Sequence, residues 1–220
     1  MQKILRKSLN DIFSPMVLKF VLKVGLGSIA LWILLLSLFW DNYSAFISSY
    51  IAEIPFVGGW EWFQSTGSII TALLLGYMMI IITISLLTSL FSESILIKLA
   101  KQHYPDAPVV GSASISFSTL LTIKVSAIFL LLFLITIPLL FVPIVGQIWM
   151  LWLWSILIKE PTAYDVGSLF ITDKTILKEK RKKSRIIAII ASLFNYIPIL
   201  NIFAALFGQI LFLHHTLGKG

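Results

Sequence analysis

Cysteine is absent from this 220-residue chain, and charged residues make up only 12% of it. The lack of cysteine excludes a disulfide framework and any metal site built from thiolates. Soluble domains usually contain about a quarter charged residues, so water is not the main solvent of this chain. Glycine-rich phosphate loops and the HExxH, GxSxG and EF-hand patterns are also missing. We therefore predict neither an enzyme nor a protein that carries a cofactor.

Long apolar runs dominate what is present. Hydrophobic residues make up 58% of the chain, and the mean hydropathy is +0.96. They concentrate in four runs, at positions 22–40, 69–91, 125–158 and 186–213. Apolar runs of more than about 18 residues are typical of membrane segments. The sequence therefore predicts an all-α integral membrane protein.

Basic residues flank these runs and predict the topology. Five flank the start of the first run: Lys3, Arg6, Lys7 and Lys19 precede it, and Lys23 is its second residue. Lysine and arginine are absent from positions 25–97. Because positive charge marks the cytoplasmic side, residues 19–40 are predicted to cross outward and residues 66–104 to cross back. Both termini then lie in the cytoplasm. Attraction to anionic lipid accounts for the net charge of +7, and we expect no nucleic acid as a partner.

Two features of the N-terminal part have alternative interpretations. Residues 1–18 are predicted to form an amphipathic helix on the inner leaflet, with Leu5, Leu9 and Ile12 on one face; a plain cytoplasmic extension of the first span is the alternative. The first apolar run is interpreted as a retained signal anchor, because cleavable signal peptides have apolar stretches of about 7–15 residues. Cleavage after Ser44-Ala45 is the alternative there.

Prolines interrupt the third and fourth runs. The third run, of roughly 34 residues, is too long for one crossing of a core about 30 Å thick and too short for two. Pro138 and Pro143 lie near its middle, and Pro198 divides the fourth run; proline opens a helix by removing a backbone donor. We therefore predict two re-entrant helical hairpins, at residues 120–158 and 186–213. A cytoplasmic helix or loop at residues 159–185 joins them.

The three histidines, His103, His214 and His215, lack the spacing of a metal site. Adjacent histidines on a helix also point in different directions. We interpret all three as solvated or interfacial side chains and predict no metal site.

The C-terminal third contains motifs of a known family. Ala163-Tyr164-Asp165 is followed by a basic run at residues 178–185 and then by FNYIPILNIFAA at residues 194–205. These segments resemble the CysZ family of bacterial sulfate permeases and the wider etoposide-induced-protein superfamily. The resemblance implies an N-terminal amphipathic helix, two spanning helices and two re-entrant hairpins that assemble as a homo-oligomer. It also implies the bacterial inner membrane and a substrate such as sulfate or a related small oxyanion.

The start of the first span departs from the family pattern. Sulfate-binding members look to carry a Gly-Leu-Arg-Arg-Phe-Val-like stretch, whereas residues 16–21 here are Met-Val-Leu-Lys-Phe-Val. Lys19 keeps a positive charge but lacks the bidentate fork of arginine. Lys19 and Lys23 are candidates to recruit an anion at the cytoplasmic mouth; the alternative is that they anchor the first span by snorkelling.

Asn195 and Asn201 flank Pro198 and complete the candidate ligand-binding residues. Half-helix N-termini at such a break attract anions; the alternative is that the break is only the turn of a packed hairpin. The leading hypothesis is a CysZ-like permease or channel for sulfate or a related oxyanion. The alternative is a membrane scaffold or interaction protein that transports nothing, and the missing arginines favour it.

Overall fold

The structure is a computed structural model that describes residues 2–54, 59–197 and 200–218. Within these residues it contains helices and no β-strand. The α-helices are α1 (Gln2–Ile12), α2 (Pro15–Ala52), α3 (Ser68–Phe91), α4 (Glu93–His103), α5 (Ile115–Ile135), α6 (Ile137–Leu140), α7 (Val145–Phe170), α8 (Lys174–Ser192) and α9 (Ala204–Leu217). A π-helical turn (Phe63–Gly67) precedes α3, and the 3₁₀ turns Leu193–Tyr196 and Leu200–Phe203 precede α9.

Four helical segments are long and apolar enough to cross a membrane: Pro15–Ala52, Phe63–Phe91, Ile115–Ile135 and Leu200–Leu217. At 1.5 Å per residue, the 38 residues of α2 extend over about 57 Å, although Phe39 interrupts its regular geometry with φ −118° and ψ 20°. These segments confirm the predicted all-α membrane class. The depth to which the two hairpins enter the bilayer stays a prediction.

The chain divides into two compact units. One is Gly25–Thr83, which contains most of α2 and α3. Inside it, the Trp32 indole donates a 2.8 Å hydrogen bond to the Thr83 hydroxyl, and the Tyr43 hydroxyl donates to the carbonyl of Ala72. These two bonds join α2 to α3 at two levels. The unit is thus a pair of helices fastened by polar side chains within apolar sequence.

The other unit is Met1–Val24 together with Ile84–Gly220, and α9 lies at its centre. Four consecutive residues of α9, from Ile210 to Leu213, are fully buried. Gly208 allows the close approach of α7, because a Cβ there would lie 2.6 Å from Cγ2 of Ile158. A helix that is apolar on all sides is buried on all sides, and here α1, α7 and α8 surround it.

The first hairpin consists of α5, α6 and α7. Its turn contains both Pro138 and Pro143, and Ile144 adopts a positive φ of 66°. The Trp149 indole donates a 2.8 Å bond to the Thr136 hydroxyl and so closes the turn. Gly146 is required there, since a Cβ would lie 2.7 Å from two backbone carbonyl oxygens of α6. The helix break therefore falls at the prolines, as predicted.

The helices extend beyond the apolar runs that predicted them. The hairpin predicted at residues 120–158 continues from Ile115 to Phe170, so most of the segment expected to form a separate helix or loop at 159–185 is instead the end of α7 and the start of α8. The span predicted at 66–104 is divided at Ser92 into α3 and α4. Lysine, arginine and glutamate are good helix formers, so α7 and α8 continue through polar sequence.

The second hairpin consists of α8, the two 3₁₀ turns and α9. Its described residues include positions 186–197 and 200–213 of the predicted segment. It begins at Lys174, where the Asp173 carboxylate caps the helix by accepting a 2.7 Å bond from the Thr175 amide. Near the C-terminus of α9, the Lys180 ammonium of α8 donates a hydrogen bond to the carbonyl of His215. Pro198, the predicted apex, lies outside the described residues.

The N-terminal helix is present as α1, which ends at Ile12, before the predicted end at residue 18; contact of its apolar face with the inner leaflet stays a prediction. Ser8, Asp11 and Ile12 are buried against the rest of the unit, while Leu5 and Leu9 are half-buried. Two polar residues therefore face the protein. The reason is that Asp11 has partners on other helices, which its position in the sequence does not reveal.

Candidate functional site

The structure places the predicted ligand-binding residues in two different environments. Lys19 and Lys23 lie four residues apart on α2 and are exposed, so both ammonium groups lie on one helical face. Asn195 is buried in the first 3₁₀ turn, and Asn201 is half-buried in the second. The ring of Phe13 lies 6.3 Å from that of Phe203, which brings the α1–α2 junction next to the turn that carries Asn201.

A buried polar cluster joins four helices around Asp165. The carboxylate of Asp165 accepts hydrogen bonds from Ser89 (2.5 Å), Ser118 (2.7 Å) and the Gln209 amide (2.9 Å). The two serine hydroxyls are 2.6 Å from each other. These residues come from α3, α5, α7 and α9, and each is less than a tenth exposed. We call this group the Asp165 cluster.

Electrostatics set the charge of the Asp165 cluster. Burial raises the pKa of Asp165 to about 6, against the three hydrogen bonds that favour the ionised form, and the charge of Glu93 raises it further. Ser89 is near the end of its span and Ser118 near the start of the next, so the carboxyl group lies at the level where these helices end. A buried carboxylate at this position repels an anion. The cluster therefore holds helices together and is not the anion site.

A second cluster joins α1, α4 and α9. One carboxylate oxygen of Asp11 lies 2.8 Å from Nε2 of His103, and the other lies 2.7 Å from Nε2 of His214. The hydroxyl of Tyr104 is 3.0 Å from Nδ1 of His214. Burial opposes ionisation of Asp11, but the bonds to His214 and His103 outweigh it, so the pKa of Asp11 lies below its ordinary value.

The prediction that the histidines are solvated or interfacial is wrong for His214, which is fully buried. The reason is tertiary: His103 and His214 are separated by about half the chain, yet both meet Asp11. Aromatic packing reinforces the arrangement, since the rings of His103 and His214 lie 5.2 Å apart in an edge-to-face geometry. Sequence spacing could not reveal a cluster whose members come from three separate helices.

A cavity of about 200 Å³ lies between α5, α7 and the start of α8. Its lining is Phe117, Leu121, Glu160, Ala163, Tyr164 and Leu177. The described part of the lining is largely apolar, and its charged member is the Glu160 carboxylate, which pairs with Lys159 at 2.7 Å. Such a surface does not suit an oxyanion, which requires cations or N–H donors.

Arg185, the last residue of the basic run at 178–185, is a further cation with a defined position. It is half-buried on α8, and its Nη1 donates a 3.0 Å bond to the Ser155 hydroxyl on α7. Its guanidinium lies 5.6 Å from the ring centre of Trp152. A guanidinium has five N–H donors, so donors remain beyond the one used here. The structure thus holds an arginine beside the apolar part of the first hairpin.

Comparison with known proteins identifies a family. Residues 4–205 match the family model described as sulfate transporter CysZ/etoposide-induced protein 2.4. Neither the curated proteins nor the solved structures give a match. Because the family match covers nearly the whole chain, from α1 to the start of α9, the protein belongs to the sulfate transporter CysZ/etoposide-induced protein 2.4 family.

Proposed function

We propose that the protein is a permease or channel for sulfate or a related small oxyanion in the bacterial inner membrane. Family membership supports the substrate class, and four helices long enough to cross a membrane support the setting. The observation that carries the proposal is the exposed pair Lys19 and Lys23 at the start of the first span. In this proposal the protein moves an anion across the membrane and catalyses no reaction.

The two lysines recruit the anion. Since they share one helical face, their charges add at the cytoplasmic mouth, where they attract a divalent anion more strongly than either does alone. Asn195 and Asn201, in the turns of the second hairpin, then offer amide groups to the anion. Arg185 adds a guanidinium with donors still available for an oxyanion. Both termini lie in the cytoplasm.

Assembly completes the path. Broken helices at membrane depth need neighbours to satisfy their open backbone groups, and α2 exposes a row of large apolar side chains that includes Leu26, Leu34 and Leu38. We propose that several copies associate as a homo-oligomer around a shared path. Anionic lipid binds the basic residues at the inner leaflet.

A non-transporting membrane scaffold is the second candidate. The observation that favours it is the cavity beside Tyr164, whose lining, among the residues that the structure describes, contains a carboxylate and no lysine or arginine. Under this alternative, Lys19 and Lys23 only anchor the first span, and the protein is indifferent to the identity of the anion.

Thermal unfolding in detergent distinguishes the two candidates. A ligand that binds only the folded protein at 100 times its Kd stabilises it by about 2.7 kcal/mol. We expect sulfate to raise the Tm above that in chloride at equal ionic strength, and Lys19→Gln to reduce this rise. Lys98→Gln is the matched control, because Lys98 is also an exposed lysine but lies on α4. Equal Tm values in both anions would instead favour the scaffold.

A further inference from the structure

The cluster of Asp11, His103 and His214 contains the donor set of a transition-metal site. One ligand atom from each residue can be chosen so that all three lie within 4.8 Å of one another. The residues come from α1, α4 and α9, so a shared ligand would join three helices. We propose that these three side chains bind a divalent transition-metal ion such as Zn²⁺, and the proposal is independent of transport.

The chemistry of the donors fits zinc. Two imidazole nitrogens and one carboxylate oxygen are a common three-residue set, with the fourth position left to water or another ligand. Hard cations such as Mg²⁺ and Ca²⁺ prefer oxygen ligands and do not suit two imidazoles. The donor set therefore selects a transition metal over the abundant hard cations.

The geometry requires only a small adjustment. Metal–ligand distances of about 2.0–2.2 Å in a tetrahedron place neighbouring ligand atoms roughly 3.3–3.5 Å apart. The present distances from the Asp11 oxygens to the two Nε2 atoms are 2.8 and 2.7 Å, because these atoms share hydrogen bonds. Each Asp11 oxygen and its Nε2 partner must move apart by a little over half an ångström to make room for the ion. The ion then takes the place of the Nε2 protons: a neutral histidine carries its proton on Nδ1 instead, whereas a protonated histidine releases one proton on binding.

Tyr104 provides the outer contact that metal-binding histidines usually have. Its hydroxyl lies 3.0 Å from Nδ1 of His214, and a partner on the second ring nitrogen fixes the orientation of the imidazole. His214 is fully buried and Asp11 nearly so, which limits competition from water. Lys7 opposes the ion, since its ammonium lies 4.2 Å from the centre of the Tyr104 ring. This charge lowers the affinity, and added salt weakens its effect.

Binding would fasten the N-terminal helix to the rest of its unit. Asp11 is near the end of α1, and its two hydrogen bonds already hold α1 against α4 and α9. A coordinated ion strengthens this attachment, because metal binding contributes to folding free energy when the site exists only in the folded state. Zinc is therefore expected to raise the Tm of the full-length protein.

Zinc titration of the purified full-length protein tests the proposal. The protein in detergent is first stripped with a chelator, and ZnCl₂ is then added in a calorimeter, with MgCl₂ as the control cation. We expect one equivalent of zinc to bind to the wild type. His103→Gln should weaken binding by at least about tenfold, since it removes one of three ligands and even the loss of an outer contact typically costs about 10–100-fold. His103 is partly exposed, so this variant disturbs the core less than changes at His214.

His215→Gln is the matched control. His215 is adjacent to a ligand but is not part of the cluster, so this variant should bind zinc like the wild type. Absence of stoichiometric zinc binding to the wild type would overturn the proposal, as would equal affinity in His103→Gln and His215→Gln. X-ray absorption at the zinc edge of the wild type gives a check that does not depend on variant folding. It should show imidazole nitrogens at about 2.0–2.1 Å, and a shell without imidazole would contradict the site.

Discussion

Replacing Asp165 with asparagine should remove a pH dependence of stability that the buried carboxyl group causes. The pKa of Asp165 is raised from 3.8 to about 6 in the folded protein, first by burial. The folded state therefore favours the protonated form. Its stabilising contribution is fully present below about pH 4 and is lost as the pH rises through 6.

The magnitude follows from the two pKa values. A difference of about two pH units corresponds to about 3 kcal/mol, at 1.36 kcal/mol per unit. For a chain of this length, 1 kcal/mol changes the Tm by about 2–4 °C. The wild type should therefore lose about 6–12 °C more than Asp165→Asn between pH 4 and pH 7.5.

The hydrogen bonds allow this replacement. The asparagine oxygen can occupy the place of the carboxylate oxygen that accepts from Ser89 and Gln209. Its amide group then donates to the Ser118 hydroxyl, which can turn and donate to Ser89 at 2.6 Å. The Ser89, Ser118 and Gln209 donors each keep an acceptor, so the variant should equal the wild type near pH 4 and exceed it in stability near pH 7.5.

Thermal unfolding in detergent, followed by circular dichroism at a series of pH values, measures the effect. All other titrating groups are present in both proteins, so the difference between the two curves reports Asp165 alone. Parallel curves from pH 4 to pH 8 would refute the reasoning. A variant that is less stable than the wild type at pH 7.5 would also refute it.

Two further predictions concern packing. Gly208→Ala should lower the free energy of unfolding by about 1–3 kcal/mol, because the new Cβ would lie 2.6 Å from Ile158 Cγ2. The control Gly27→Ala, where nothing lies within 4 Å, should be neutral or slightly stabilising. Equal Tm values for the two variants would contradict the close contact between α7 and α9. Trp149→Phe should lower the free energy of unfolding by about 1 kcal/mol, because it removes the hydrogen bond to Thr136 at the turn of the first hairpin. A Tm unchanged within error would show that this bond does not hold the turn.

The fold class could be predicted because lipid imposes a simple rule. Spanning segments must be long, apolar and helical, so the apolar runs revealed α2, α3 and the first hairpin with its break at Pro138 and Pro143. The helix ends were less predictable, since hydropathy marks contact with lipid and not helical conformation. For this reason α7 continues through Lys159 and Glu160 to Phe170.

The polar clusters could not be predicted from the sequence. Asp11 looks like one of several polar residues on an amphipathic helix, and its partners lie 92 and 203 positions away. Only the packing of α1 against α4 and α9 brings these groups together. Asp165 belongs to a motif that carried the family resemblance, but its role as the acceptor for three other helices depends on tertiary structure. The predicted roles of Lys19, Lys23, Asn195 and Asn201 stay predictions.

Uptake of radiolabelled sulfate into proteoliposomes tests the central claim most directly. Purified wild type, Lys19→Gln and Lys98→Gln are reconstituted at equal density, with empty liposomes as the background. If the protein transports sulfate, the wild type and Lys98→Gln should show uptake above background, and uptake by Lys19→Gln should be clearly lower. Uptake equal to that of empty liposomes, from protein shown by circular dichroism to be folded, would contradict the claim that this protein transports sulfate.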